Sequence, residues 1–462
     1  MELAFHGATR NVTGSCHYLE HDGTRILVDC GLYQGKKEME EENRSDFGFD
    51  PASIDFLLLT HAHLDHCGRI PLLVKNGFKG SIVTTAATRE LARLVMFDSA
   101  RIQEEEARYR NYRKKKRNRE DLTFQPLYTT VDALRCLDNF VDIRAFEQPF
   151  SLRPGISTTF YDAGHILGSA SILVEVRTNG SGKRVLFSGD LGYDQRAILP
   201  DPASPPASDI VVMESTYGDR QHKSLQPSIE ELYQAINNTV SRNGNVLIPS
   251  FALERSQEIL YYLREGVEQS KLPADLKVFL DSPMAISATE IFRRHPEYFD
   301  EETEDVLDRG QDPFEIPGLT FSRETADSMA LKQMRGVVII AGSGMCTAGR
   351  IRHHLRHNLW RKEAAVVFVG YAGTGTLARI IIDGAKTVRI FGEEIDVKAD
   401  LYTIGGFSAH ADQQELIRWH NKTGKPGQTY LVHGEKHAQE TLARCLQDTE
   451  VIIPTLHQSY TV

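Results

Sequence analysis

Ile54-Asp55-Phe56-Leu57-Leu58-Leu59-Thr60-His61-Ala62-His63-Leu64-Asp65-His66 sets a run of apolar residues directly against three imidazoles and a carboxylate packed into six positions. The apolar run reads as a buried strand. A strand end is rigid enough to hold side chains at the separations that metal ligation demands, and imidazole with carboxylate is a common donor set for it. A single histidine usually sits at the surface or in a satisfied core position. Three of them with an aspartate at one strand end read as a metal site.

Outward from this stretch, residues 16–20 and 25–29 flank Asp22-Gly23 and read as a hairpin. Downstream, Leu91, Leu94 and Val95 recur at helical spacing within a helix expected over 88–112. Strands are then expected at 158–161, 171–176, 185–188 and 210–213, with a turn at 180–182. Four more candidates follow such runs: His165 in Ala163-Gly164-His165, Asp190 in Ser188-Gly189-Asp190, His410 in Ala409-His410-Ala411-Asp412, and His433 in Val432-His433-Gly434. Each alone also fits a turn, and Asp190 a helix cap. Their shared context, an apolar strand followed by small residues and a ligand type, joins them to the first cluster.

From about residue 228 strands alternate with helices, 228–242 before 246–249 and 256–269 before 278–280, as in an α/β domain with a mostly parallel sheet. After 366–369 short strands return at 399–404 and 430–432. With no repeat and no low-complexity linker, the middle domain is expected to be inserted into the first.

The composition is that of a globular chain: 462 residues, 41% hydrophobic and 25% charged, which argues against disorder. Lys+Arg 53 against Asp+Glu 63 leaves a net charge of −10, so a polyanion partner must use a local patch. The densest is 108–119, where eight of twelve residues are Lys or Arg, interleaved with Tyr109 and Tyr112. A solvated helix end and a phosphate-tracking patch both fit it. The six cysteines are scattered without a C-x-x-C pair, which points to a reducing, cytoplasmic setting. Neither a secretion signal nor a membrane span is expected.

The His61-to-His66 motif, Glu214 in Met213-Glu214-Ser215-Thr216-Tyr217-Gly218, and the segments at His410 and His433 resemble the metallo-β-lactamase-fold nucleases with an inserted β-CASP domain. Asp98-Ser99-Ala100-Arg101-Ile102-Gln103, Pro126-Leu127-Tyr128-Thr129, Gly342-Ser343-Gly344-Met345 and Gly370-Tyr371 with Gly375-Thr376-Leu377 are similar to the branch near the eukaryotic cleavage-and-polyadenylation endonuclease and its bacterial homologues. The resemblance implies an α/β protein, a four-layered αββα sandwich formed by 1–215 and 399–462 with a β-CASP domain at 216–398.

It also implies two Zn²⁺ per chain, one held by His61, His63 and His165, the other by Asp65, His66 and His433, with Asp190 bridging; Mn²⁺ suits the same donors. Asp65 and Asp190 are then also part of the catalytic set, with His410 as general acid and Glu214 orienting it. Asp29 is expected to fix a loop rather than to ligate. Ser343 and Gly344, ahead of a helix expected at 347–360, are expected to contact phosphate. The implied activity is two-metal hydrolysis of single-stranded RNA, endonucleolytic with 5′-exonucleolytic action also open, by a monomer or a homodimer. A DNA-processing β-CASP nuclease, a small-ester or thioester hydrolase of the same fold and a non-catalytic RNA-binding subunit remain as alternatives.

Overall fold

In the computed structural model the first three strands, Glu2–Phe5, His17–His21 and Thr24–Val28, pair antiparallel. Asp22 and Gly23 both take positive φ between the last two, as a two-residue hairpin with right-handed twist requires. The described residues are 1–35, 37–115, 123–178, 181–370, 372–373 and 375–462. Residues 116–119 of the basic run, Gly180 of the expected turn and Tyr371 lie outside them.

Beyond Val28 the pairing changes to parallel: Phe56–Leu58, Ser81–Thr84 and Phe140–Ile143 extend one edge, and Gln458–Thr461 closes the other, giving seven strands. The second seven-stranded sheet repeats this division. Phe150–Arg153, Ile156–Asp162, Ala170–Thr178 and Ser181–Phe187 pair antiparallel, then Ile210–Glu214, Gln428–Val432 and Glu450–Ile452 add in parallel.

The alternation along each strand explains the layering. Phe5, Val28 and Leu58 of the first sheet share one buried cluster with Ile172, Phe187, Val212 and Tyr430 of the second, so the two inner faces meet. Leu173, Leu186, Val211 and Leu431, on the opposite face of the second sheet, pack with Leu416 and Trp419 of helix Gln413–Asn421 and Leu442 of helix Lys436–Ala443. Leu27, Leu57 and Ile82 point away from the inner face and are still fully buried, as a sheet covered by helices on its outer side requires. The helices that follow this sheet's strands, Ile70–Lys75 and Ala86–Lys115, bury Leu73, Leu91 and Val95. This is the expected αββα sandwich.

The chain divides into two compact units, Met1–Asp194 with Asp201–Gln221 and His410–Val462, and Gln195–Pro200 with His222–Ala409. The second unit is built on six strands in the order Leu319–Phe321, Lys277–Leu280, Val337–Ala341, Val246–Pro249, Ala365–Val369, Asp400–Ile404. All pairings within this six-stranded sheet are parallel, which accounts for near-continuous apolar strands such as the fully buried Val337–Ala341.

Three observed boundaries differ from the expected spans. Asp400–Ile404 pairs with Ala365–Val369, and the second compact unit runs on to Ala409, past 398, and takes in Gln195–Pro200. The helix expected at 347–360 spans only Ile351–Asn358, because 347–350 turn back and Ile351 N–H donates to the Gly342 carbonyl at 3.1 Å. The helix expected at 88–112 runs from Ala86 to Lys115. No helix among the described residues is long and apolar enough to cross a membrane, and none of the six cysteines is in a disulfide.

Candidate metal centre and its surroundings

The parallel half of the second sheet places much of the site. Ser181–Phe187, Ile210–Glu214 and Gln428–Val432 lie side by side and point the same way, so Asp190, Glu214 and His433 emerge together at their C-terminal ends. This is where open parallel sheets present functional residues. His61 to His66 leave Phe56–Leu58 in the same sense within the first sheet; His63 takes the N-cap position of the short helix Leu64–Cys67, which turns Asp65 and His66 back to the cluster. His165 sits in the turn between Ile156–Asp162 and Ala170–Thr178, and His410 lies two residues before Asp412, which caps Gln413–Asn421.

These side chains converge on Asp190, which is almost fully buried. Its Oδ2 lies 3.5 Å from His61 Nε2 and 3.6 Å from His165 Nε2, and His63 Nδ1 stands 3.2 and 3.0 Å from the same two nitrogens. Its Oδ1 lies 3.3 Å from His66 Nε2 and 3.5 Å from His433 Nδ1, while His433 Nε2 reaches Asp65 Oδ2 at 3.4 Å. Two ligand-competent groups result, His61, His63, His165 with Asp190, and Asp65, His66 with His433. Ligand atoms of Asp190, Glu214, His410 and His433 likewise lie within 4.8 Å of one another.

Asp190 Oδ1 is buried with no well-formed hydrogen bond among the described residues, faced by the His66 and His433 nitrogens at 3.3 and 3.5 Å, and a cation against it would satisfy it. Imidazole nitrogens that close on one another around a carboxylate, with no thiolate, are the donor set of a borderline divalent ion. The residues therefore fit a metal. Burial holds the His61 imidazole well below its ordinary pKa and His63 at about 4, both in the neutral form that ligates. Burial would raise Asp190, but His433, His66 and His61 outweigh it and keep the carboxyl well below the usual range. Burial would lower His66, but Asp190 and Asp29 hold it well up, so a metal arriving there displaces a proton.

A ring of non-ligating residues aims this set. Asp29 accepts from Thr60 N–H and Thr60 Oγ1, both at 2.8 Å, and lies 2.7 Å from His66 Nδ1, which fixes the ring that faces Asp190. Asp29 takes φ 65°, a left-handed conformation that aspartate tolerates better than most residues. Gly31 lets the chain pass close behind the ligand helix: a Cβ there would stand 1.6 Å from the Asp65 carbonyl oxygen. Thr216 Oγ1 contacts His433 Nδ1 at 3.0 Å, and Ser15 Oγ lies 3.4 Å from His66 Nε2. The sequence reading assigned no role to Thr60, Ser15 or Thr216. Thr216 carried one signal, its place two residues after Glu214 at a strand end.

Glu214 accepts from Leu191 N–H at 2.7 Å and Thr216 N–H at 3.3 Å and faces His410 Nδ1 at 3.2 Å. Burial would lower the His410 imidazole, but the charge and hydrogen bond of Glu214, with Asp190 and Asp65, raise it to about 9. Ser343 and Gly344 belong to the second unit, in a loop where Ser343 Oγ and N–H both engage Ala348 and the Phe251 ring, half exposed, lies against Gly344. The helix that follows begins only at Ile351, so its N-terminus is not at Ser343.

Comparison with known proteins agrees with this construction. Residues 9–250 match the metallo-beta-lactamase superfamily, 256–381 the Beta-Casp domain, and 394–454 the Zn-dependent metallo-hydrolase RNA specificity domain. Ribonuclease TTHA0252 of Thermus thermophilus is 40% identical over 96% of each chain. Transcription termination factor FttA of Methanocaldococcus jannaschii is 30% identical over 98% of this chain and 69% of its own. An RNase J-like protein of the same archaeon is 29% identical over 98% and 97%. The crystal structure of a protein of unknown function from Enterococcus faecalis V583 superposes with a TM-score of 0.55 at 13% identity, covering 100% of this chain and 99% of that one, which shows the fold alone. With a superfamily match over more than half of its length and full-length similarity to a ribonuclease, the chain belongs to the β-CASP ribonuclease branch of the metallo-β-lactamase superfamily.

Proposed function

We propose that this protein is a zinc-dependent ribonuclease that hydrolyses phosphodiester bonds of single-stranded RNA, cutting internally and also able to work from a 5′ end. The observation that carries the reading is the convergence of His61, His63, His165, His66 and His433 around Asp190, with Asp65 against His433, in a chain similar throughout to a ribonuclease. His61, His63 and His165 would hold one Zn²⁺ and Asp65, His66 and His433 the other, with Asp190 shared. Mn²⁺ suits the same donors. Such ions, when bound, supply Lewis acidity that stabilises charge on phosphate oxygens and lowers the pKa of water.

The chain's own contribution is placement and proton delivery. Asp65 and Asp190 keep negative charge where cations gather. His410 holds a proton at its imidazole for the leaving 3′ oxygen, and Glu214, itself anchored by Leu191 and Thr216 amides, fixes the ring and favours its cationic form. In the second unit Ser343 and Gly344 would take a phosphate, and the exposed Phe251 ring beside them suits an unpaired base. We take 1–215 and 399–462 as the metallo-β-lactamase domain that carries the chemistry and 216–398 as the β-CASP domain that contacts RNA. A cytoplasmic setting suits the six free cysteines, and a homodimer is the assembly to test first.

The test is a time course of zinc-loaded protein and its Asp190→Ala variant on 5′-labelled single-stranded RNA beside a matched DNA strand. Internal RNA fragments that vanish in the variant are expected, along with loss of bound metal. Label released first as mononucleotide would shift the balance to 5′-exonuclease action. Cleavage of DNA alone, or of neither strand by fully metallated protein, would overturn the reading.

A further inference from the structure

Helix Ala86–Lys115 has a buried face only as far as Ala107. It nevertheless continues for about two more turns. Over 108–115 it carries five basic side chains, Arg108, Arg110, Arg113, Lys114 and Lys115, and no acidic one. Like charges three and four positions apart repel along a helix face, and no core compensates here. Of the glutamates just before this segment, Glu104 accepts from Thr130 N–H and Glu105 pairs with Arg101, while Glu106 reaches Arg110 within it. Among the described residues Arg108, Arg113 and Lys115 have no carboxylate partner.

Two aromatic rings share this surface. Tyr109 is 60% and Tyr112 65% exposed, and the Arg113 guanidinium lies 5.7 Å from the Tyr109 ring centre. Tyr109 and Tyr112 are three positions apart, so the two rings are neighbours on the surface, about 4.5 Å apart along the axis. The segment is fixed at its base without being covered. Asn111 exchanges two hydrogen bonds with the Phe124 backbone, and Arg110 and Arg44 stack on the Phe124 ring at 4.4 and 5.0 Å. A held, cationic helix end with two bare phenol faces, on a chain of net charge −10, has the recognition chemistry of a single strand of nucleic acid: cations for phosphates and rings for unpaired bases.

We propose that residues 108–115 form a second contact for the RNA strand, apart from the metal cluster, in which Arg108, Arg113 and Lys115 take phosphates and Tyr109 and Tyr112 stack bases. The proposal rests on the ribonuclease reading above. Rings beside the charges favour RNA over an acidic protein, which would use the charges and leave the rings idle.

The test measures binding of a fluorescein-labelled 2′-O-methyl oligouridylate of about 16 nucleotides across a salt series, together with hydrolysis of bis(p-nitrophenyl) phosphate. In the triple variant Arg108→Gln, Arg113→Gln, Lys115→Gln the slope of log K against log salt should fall by about 2, from about 0.7 for each lost phosphate contact. In Tyr109→Ala with Tyr112→Ala, affinity should fall about tenfold or more with the slope unchanged. Both variants should hydrolyse the small diester like the parent and keep its circular dichroism; should the triple variant misfold, Arg113→Gln alone should lower the slope by about 0.7. Unchanged affinity and slope in both variants of a parent that binds and cuts RNA would overturn this proposal while sparing the ribonuclease reading, and would leave the arm to an acidic protein. A weakened triple variant beside an unchanged tyrosine pair would overturn the stacking. A parent that hydrolyses the small diester yet neither binds nor cuts RNA would overturn both.

Discussion

His410→Ala separates the two roles that geometry leaves open for this imidazole, since His410 can be grouped either with the ligands around Asp190 or with Glu214 as a proton donor. Deleting the ring leaves Glu214 with its Leu191 and Thr216 amide donors at 2.7 and 3.3 Å, so no buried carboxylate is orphaned and the fold should hold. As a proton donor His410 is worth about 10²- to 10⁴-fold in rate, about 2.7 to 5.4 kcal/mol of barrier. That loss should appear on RNA, whose 3′ oxygen leaves badly unprotonated. It should nearly vanish on bis(p-nitrophenyl) phosphate, whose leaving group needs no proton. With its pKa raised to about 9, the imidazole stays cationic at neutral pH, and RNA cleavage should fall as pH rises through that value. Glu214→Gln removes the raising charge and should move the fall to lower pH. The assay is kcat on both substrates with metal analysis of each variant. Loss of metal from His410→Ala, or equal losses on the two substrates, would refute the proton-donor reasoning.

Two further substitutions probe how the ligands are aimed. Asp29→Asn keeps a residue that tolerates φ 65° but sets an amide where Thr60 N–H, Thr60 Oγ1 and His66 Nδ1 all approach one carboxylate, so metal affinity should fall about 10- to 100-fold in competition with a chelating dye; affinity within twofold of the parent would mean that Asp29 does not orient His66. Gly31→Ala forces a Cβ to within 1.6 Å of the Asp65 carbonyl oxygen, so the ligand helix Leu64–Cys67 must shift; metal content and melting temperature should both drop, and a parent-like melt with full metal would show that the passage is looser than drawn.

The candidate ligands are legible because each carries local information. His61 to His66 declare themselves within six positions, and Asp190, His165 and His433 each follow an apolar run and small residues. The supporting hydroxyls are not. Ser15, Thr60 and Thr216 are common residues whose role depends on which strands become neighbours, and strand order is a property of the whole sheet. The same non-locality hides which sheet the strand at 400–404 joins. Asp400–Ile404 is partly buried and mixed in character, a pattern either sheet could accept, and only its pairing with Ala365–Val369 assigns it. The helix at Ala86–Lys115 outran its apolar spacing because its last turns are held by Asn111 and Phe124 instead of a buried face.

The sheet order also accounts for why the distant residues arrive as a set. Asp190 and Glu214 follow adjacent parallel strands, and His433 follows the next, whose partner in register for Glu214 is Val432. His433 then meets Asp65 across 368 positions of sequence, a contact that exists only once both sheets have closed on their shared core of Phe187, Val212 and Tyr430. Asp65, His66 and His433 therefore form a candidate ligand group that the unfolded chain cannot present, and His61 and His63 likewise meet His165 and Asp190 only once the two sheets have closed. Metal binding at either candidate group would therefore be coupled to folding: the first needs His165 and Asp190 of the second sheet beside His61 and His63, and the second also needs the C-terminal segment that carries His433.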